Sequence, residues 1–195
     1  LMRHVVLSVV DGKFKSISVT PKNTESLLGP EKFLPEKVSE RDEVGVVNGL
    51  AYTSVGGDML KVEVAVTNGT GKLELTGNLG DVMKESAKTA LTYVRQICSQ
   101  YGIDDEFYSK RDIHIHVPEG AVPKDGPSAG ITMLTALVSA LSGIPVNHNI
   151  AMTGEITLRG NVLPIGGLRE KTMAAYSAGV THVIIPADNV KDIEK

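Results

Sequence analysis

The sequence predicts an α/β (α+β) core, a mixed sheet with flanking helices, behind a short N-terminal appendage. Short β-branched runs alternate with longer stretches whose apolar residues recur every three or four positions, the pattern of strands interleaved with helices. The 195 residues suffice for one substantial core. A polar stretch dense in Pro, Lys, Glu and Asp, from Pro21 to Glu43, sets a domain boundary near residue 40.

Ahead of that boundary, His4 to Val10 and Phe14 to Thr20 run apolar or alternate around Asp11-Gly12, which predicts a small hairpin. Pro21 to Glu43 reads as a linker or docking segment. Within the core, Val44 to Thr53 and Met59 to Thr67 predict strands joined by Ser54-Val55-Gly56-Gly57-Asp58, with a third strand over Lys72 to Thr76. Asp81 to Tyr101 is the clearest helix. Met83, Ala87, Ala90, Leu91, Val94, Ile97, Cys98 and Tyr101 form its stripe, and Gly102 is its stop. Asp112 to Val117 predicts a strand with His114 and His116 on the face opposite Ile113 and Ile115. A helix follows over Ile131 to Ser142. Ile150 to Thr153 and Glu155 to Leu158 form one strand, and Val162 to Ile165 returns after Arg159-Gly160-Asn161. Gly167 to Ala178 is a helix ended by Gly179, and His182 to Ile185 is a buried strand cut off by Pro186.

Composition excludes several functions. A net charge of -3 argues against a nucleic-acid-binding surface. Aromatic content of 4% without Trp leaves little for base-stacking platforms. The single cysteine, Cys98, allows no internal disulfide and belongs to an apolar helical stripe. No apolar run approaches the ~18 residues of a membrane span, and no signal-peptide pattern is found. The chain opens on Leu1 and ends on Lys195 in mid-helix pattern, so a fragment of a longer protein is expected. Gly69-Thr70-Gly71-Lys72 superficially resembles a phosphate-binding loop. Val66 replaces the first glycine of that pattern and Leu73 its Ser/Thr, so a hairpin turn is expected and no nucleotide site.

Two positions carry candidate chemistry. Pro123-Lys124-Asp125-Gly126-Pro127-Ser128-Ala129-Gly130 is a loop of turn formers and small residues that opens the helix after it. A serine at a helix start stands over the positive end of the dipole, a good place to develop an oxyanion. It also caps helices, and on this stretch alone capping is the commoner use. The second position is Lys171. Leu168, Ala174, Ala175 and Ala178 share its helix face, which is apolar. Burial lowers a lysine pKa, and a neutral lysine is a general base. A stem lying over alanines with its ammonium in water is the plainer account of Lys171 alone. Considered together, a serine that needs a base and a lysine that can supply it favour nucleophilic catalysis. Gly126-Pro127-Ser128-Ala129-Gly130 also fits the nucleophile elbow of α/β-hydrolases. The elbow needs a preceding strand, where this chain has a loop, and a downstream histidine, for which only His148 and His182 remain.

The run from Val117-Pro118-Glu119-Gly120 through Lys124-Asp125-Gly126-Pro127-Ser128-Ala129-Gly130 resembles the serine motif of the Lon protease family. Met152-Thr153-Gly154-Glu155-Ile156-Thr157-Leu158-Arg159-Gly160 and Leu163-Pro164-Ile165-Gly166-Gly167-Leu168-Arg169-Glu170-Lys171 are similar to its other signatures. The likeness extends upstream through Gly49-Leu50-Ala51-Tyr52 and Gly80-Asp81-Val82-Met83-Lys84-Glu85-Ser86 and covers roughly residues 44 to 195.

This resemblance implies the proteolytic domain of an ATP-dependent serine endopeptidase of the bacterial or mitochondrial soluble type, which degrades misfolded, damaged and short-lived proteins. Its fold would be the family's own, similar to a domain of a ribosomal protein. Ser128 matches the nucleophile and Lys171 the general base; Thr153 matches a residue whose hydroxyl orients the lysine. Asp125 and Glu155 match acidic residues lining the site, and His114 and His116 match positions near it. The His-x-His spacing could suggest a metal, but no third ligand is evident, so none is expected. Residues 1–40 would be the tail of an ATPase small domain and linker, and 41–195 the proteolytic domain, stopping short of the usual C-terminus. ATP and Mg would bind in an ATPase module before Leu1, leaving no cofactor here. Implied partners are unfolded or damaged proteins and other copies in a homohexamer, with no membrane and no nucleic acid. The implied compartment is the bacterial cytoplasm or, alternatively, the mitochondrial matrix. The rival readings are an α/β-hydrolase-like serine esterase and a non-catalytic binding module.

Overall fold

The computed structural model describes residues 1–13, 15–30, 38–53 and 56–193. It divides into two units, Leu1–Pro35 and Glu36–Lys195. The described residues of the smaller unit form two helices rather than the expected hairpin, of which Phe14 lies outside the described residues: α1 (Met2–Val10) and α2 (Pro21–Leu28). Asp11-Gly12 reads as a hairpin turn in sequence, yet a positive-φ glycine stops a helix equally well. Here Gly12 has φ 70° and donates to the Val9 carbonyl. Pro21 is the first residue of α2, where its missing N–H costs nothing, and the Asn23 side chain accepts from the Thr20 amide at 2.8 Å. Part of the expected linker is therefore helical.

In the larger unit, β1 (Val46–Thr53) and β2 (Gly56–Asn68) form an antiparallel hairpin, followed by β3 (Leu73–Thr76) and α3 (Asp81–Ile97), which ends in a 3-10 turn over Cys98–Tyr101. The short α4 (Phe107–Lys110) and β4 (Arg111–His116) come next. A 3-10 turn at Pro127–Ala129 leads into α5 (Gly130–Ser142). Then come β5 (Ile150–Met152), β6 (Glu155–Ile156), β7 (Val162–Leu163), α6 (Leu168–Ala178), β8 (His182–Ile184) and a final 3-10 segment, Ala187–Asp192. The six-stranded sheet runs β3-β4-β2-β1-β5-β8, and β6 and β7 pair separately. The mixed parallel and antiparallel order agrees with the α/β expectation.

Alternation along the central strands divides the core between the two faces of the sheet. Val47, Leu60, Val62, Val64, Ile113 and Ile115 pack in one cluster with residues of α3 and α5, among them Ala87, Val94, Met133 and Leu137. Leu50, Met59 and Ala151 pack on the other face with Ala175 of α6 and Val180. Three expectations change. Ile150 to Leu158 is two strands in different sheets, because the chain leaves the main sheet at Thr153-Gly154. β8 is an edge strand with His182 and Ile184 exposed, where a buried strand was expected. Residues 69–72 are no hairpin turn, since β4 lies between β2 and β3. This loop instead wraps a carboxylate of its own chain. Thr70 and Lys72 amides donate to Asp112 Oδ1 at 2.8 and 2.9 Å, and these bonds hold the Asp112 carboxyl below its ordinary pKa.

Glycine in the first turn of β2 decides how closely α6 approaches. Gly56 and Gly57, expected in a loop, are strand residues, while Ser54 and Val55 of that loop lie outside the described residues. A Cβ at Gly57 would overlap the Glu170 carbonyl and crowd the Lys171 amide. The obstacle is helix backbone, which cannot rotate away. Gly57→Ala is therefore expected to destabilise the domain by about 1–3 kcal/mol, measurable by denaturant unfolding.

Candidate active site

Ser128 lies in the 3-10 turn that opens α5. Gly126, at φ 116°, bends the chain into that turn in a conformation that favours glycine, and Pro127 begins it. Among the described residues the Ser128 hydroxyl makes no hydrogen bond and caps no helix, so the capping account of this serine fails. Its carbonyl is well held, accepting from the Gly154 amide at 2.8 Å and from the Thr153 hydroxyl at 3.3 Å.

Thr153 is buried where the chain leaves β5, and its hydroxyl also accepts from the Lys171 Nζ at 3.1 Å. One hydroxyl thus touches both the backbone of the candidate nucleophile and the amine of the candidate base. Because its proton goes to the Ser128 carbonyl, its lone pair is turned toward Lys171. Lys171 is 2% exposed, and no carboxylate of the described residues stands within ion-pair distance. Burial alone pushes its pKa from 10.5 to about 8.

Ser128 lines a cleft of about 600 Å³. One side is formed by Leu50, Tyr52 and Met59 of the β1–β2 hairpin, another by Val122 and Pro123, and a third by Ile165 with Gly166 and Gly167. Lys171 and Thr153 are buried and do not line it. Sequence reasoning missed two supports of this cleft. Tyr52 packs on Gly167, where a Cβ would crowd its ring. The buried Asn189 bonds both the amide and the carbonyl of Ile165 at 2.9 Å, fixing the segment before α6. A lone asparagine far from the motifs gave no signal for this.

The other candidates are dispersed. Asp125 lines the cleft, but its carboxylate faces α3: Oδ1 accepts from Met83 N at 3.0 Å and from Gly126 N at 2.8 Å. Met83 N is one of the unpaired donors of the first turn of α3, whose N-cap residue, Gly80, has no side chain to serve it. Asp125 is a helix cap supplied from a distant loop. Glu155 begins β6, half-buried opposite Leu163, and does not line the cleft. His114 and His116 share the Thr76 hydroxyl at 2.8 and 2.7 Å. They line a separate recess with Glu43 and Glu63, so the structure does not bring them to Ser128. Among the described residues no three His, Cys, Asp or Glu are grouped to hold a metal. His148 Nδ1 bonds Asp42 at 2.6 Å and the exposed His182 bonds Thr181 at 2.9 Å; neither lines the cleft. The segment before the serine turn is a loop, so the strand that a nucleophile elbow requires there is missing as well.

A serine hydroxyl left out of helix capping and an amine kept from water suit a serine hydrolase with lysine as its base. The sequence model described as Lon protease (S16) C-terminal proteolytic domain matches residues 18–195, and the chain belongs to that family. It is 61% identical to a Lon protease of Brevibacillus choshinensis over 98% of this chain, and 57% identical over its full length to one of Clostridium acetobutylicum. It is also 57% identical to Lon protease 1 of Bacillus subtilis over the full chain. The chain spans about a quarter of the length of these relatives, at 25% of each. No described helix is long and apolar enough to cross a membrane.

Removal of the cap on α3 has a measurable consequence. Asp125→Ala is expected to lower stability by about 1 kcal/mol, as lost N-caps do, and Asp125→Asn by less. Thermal unfolding of the two variants distinguishes capping from a purely electrostatic role at the cleft.

Proposed function

We propose that this chain is the proteolytic module of an ATP-dependent serine endopeptidase that uses Ser128 as nucleophile and Lys171 as general base. The observation that carries this reading is the Thr153 hydroxyl, which contacts both the Ser128 backbone and the buried Lys171 amine. In the reaction, neutral Lys171 takes the Ser128 proton as the hydroxyl oxygen attacks a peptide carbonyl. Backbone amides near Ser128 hold the oxyanion. The protonated lysine returns its proton to the departing amine, leaving an acyl-enzyme. Neutral again, Lys171 takes a proton from the water that attacks the ester, and releases it to Ser128 as the acid leaves. Glu155, His114 and His116 have no place in these steps.

The family and the relatives' names support the wider reading. Substrates are misfolded, damaged and short-lived proteins, and the working form is a homohexamer. Residues 1–40 are the end of an ATPase small domain with its linker, and residues 41–195 the proteolytic domain. ATP and magnesium act in the ATPase part of the longer protein, outside this chain. The compartment is the bacterial cytoplasm, in keeping with the bacterial relatives.

Three tests follow from this pair. Because the neutral amine is the reactive form, phosphonylation of Ser128 by a small fluorophosphonate is expected to rise with pH, reach half its maximum near 8 and level off above. A rate flat from pH 6 to 10 would rule Lys171 out as the base. Ser128→Ala and Lys171→Ala are each expected to lower peptide hydrolysis at least about 100-fold. The stability sign is opposite to that of a salt-bridged lysine. The folded pKa lies below the unfolded 10.5, so the burial penalty is fully present below about 8 and is relieved as pH rises toward 10.5. Lys171→Met, inactive, is expected to melt higher than the parent at pH 7 and to lose that advantage above pH 10, as calorimetry would show.

A further inference from the structure

The loop from Val117 to Asp125 forms one wall of the cleft and has little pairing of its own. It contains one turn, closed by the Val122 amide on the Glu119 carbonyl at 3.0 Å, with Glu119 at φ 62°, uncommon for a residue with a side chain. Val122, which faces the cleft, is half exposed. Such a wall needs a fastening, and Lys124 supplies it. Its Nζ lies 2.6 Å from the Glu119 carbonyl, 3.2 Å from that of Val122 and 3.4 Å from that of Gly77. An ammonium has three protons, and here each has a carbonyl. No carboxylate of the described residues pairs with it. Two acceptors belong to the loop and the third to the connection between β3 and α3. The backbone of Lys124 is anchored to the same connection, its amide to Asn78 O at 3.1 Å and its carbonyl to Gly80 N at 2.7 Å. The side chain therefore folds back from a fixed point and gathers the loop ahead of it. Charge-assisted bonds of this kind are stronger than neutral ones.

We propose that Lys124 is a positioning residue for substrate binding: its ammonium holds the Glu119–Pro123 wall in the place where a bound peptide packs on Val122. Ser128 is held separately, through Asp125 on α3 and through Thr153 and Gly154 on its carbonyl. Loss of the Lys124 bonds therefore loosens the wall and leaves the nucleophile in place. The proposal rests on reading the cleft as the peptide site, and its test includes a measurement that does not depend on that reading.

Lys124→Met keeps the stem and removes the donors. In the protease that carries this chain, it is expected to raise the KM for a peptide about tenfold with kcat little changed. The rate of Ser128 phosphonylation by a small fluorophosphonate, too small to reach the wall, is expected to stay within about twofold. Amide hydrogen exchange at Val122 is expected to quicken about tenfold. Lys124→Cys in a Cys98→Ala background, aminoethylated to restore an ammonium at nearly the same reach, is expected to recover both KM and exchange. An unchanged KM, a parallel fall in phosphonylation, or failure of the restored ammonium to rescue overturns the positioning role. If Ser128 of the parent enzyme does not react at all, the nucleophile assignment fails. Exchange at Val122 still decides whether Lys124 fastens the loop, and an unchanged rate there overturns that.

Discussion

The desolvated amine of Lys171 is the interaction on which the rest of the site depends. A charged lysine with 2% exposure and no carboxylate partner among the described residues is held against its preference for water, and the folded protein bears that cost below a pH of about 8. Several unrelated features exist because α6 lies where it does. Gly57 lets the helix backbone approach β2, Gly167 makes room for Tyr52, and Asn189 fixes the segment that leads into the helix. Thr153 then gives the amine its one hydrogen bond among the described residues and passes the constraint to the Ser128 carbonyl. A site assembled this way brings the pKa of an amine down to about 8 without a histidine.

The chain around Ser128 divides its tasks between adjacent residues. A serine that capped its own helix would commit its hydroxyl to that bond. Here the turn at Pro127–Ala129 leaves that hydroxyl unengaged, while the neighbouring Asp125 caps a different helix, α3. Three positions before Ser128 in the same motif, the serine loop is thus fastened to the first turn of α3, and Lys124 fastens the wall that precedes it. Charged residues that a reader of the motif would place on the substrate are, in the fold, bound to the chain's own backbone.

The same principle explains the motifs whose promise the structure does not keep. The glycine-rich loop at 69–72 has the amides of an anion site, and its anion is the Asp112 carboxylate. The His-x-His pair has the spacing of a metal site, yet both rings are drawn to one threonine hydroxyl on β3. In each case spacing along the chain described donors correctly, and a residue from a distant strand took their partner's place.

Local pattern in the sequence determined most of the elements, because helical stripes and β-branched runs report burial by one face, and burial is what sets the period. It determined also that Lys171 would sit on an apolar face, since the alanines that share its side of α6 lie within two turns of it. It misjudged Asp11-Gly12 and the β8 strand for a common reason. A glycine stop serves hairpin and helix alike, and an apolar triplet does not say whether it lies in the centre of a sheet or at its edge. Only the tertiary structure decided which hydroxyl meets the lysine, that Ser128 is free of capping, and that His114, His116 and Glu155 stand apart from the cleft. Those facts depend on strand order and on how closely one backbone passes another, which contacts far apart in the chain set and local pattern does not encode.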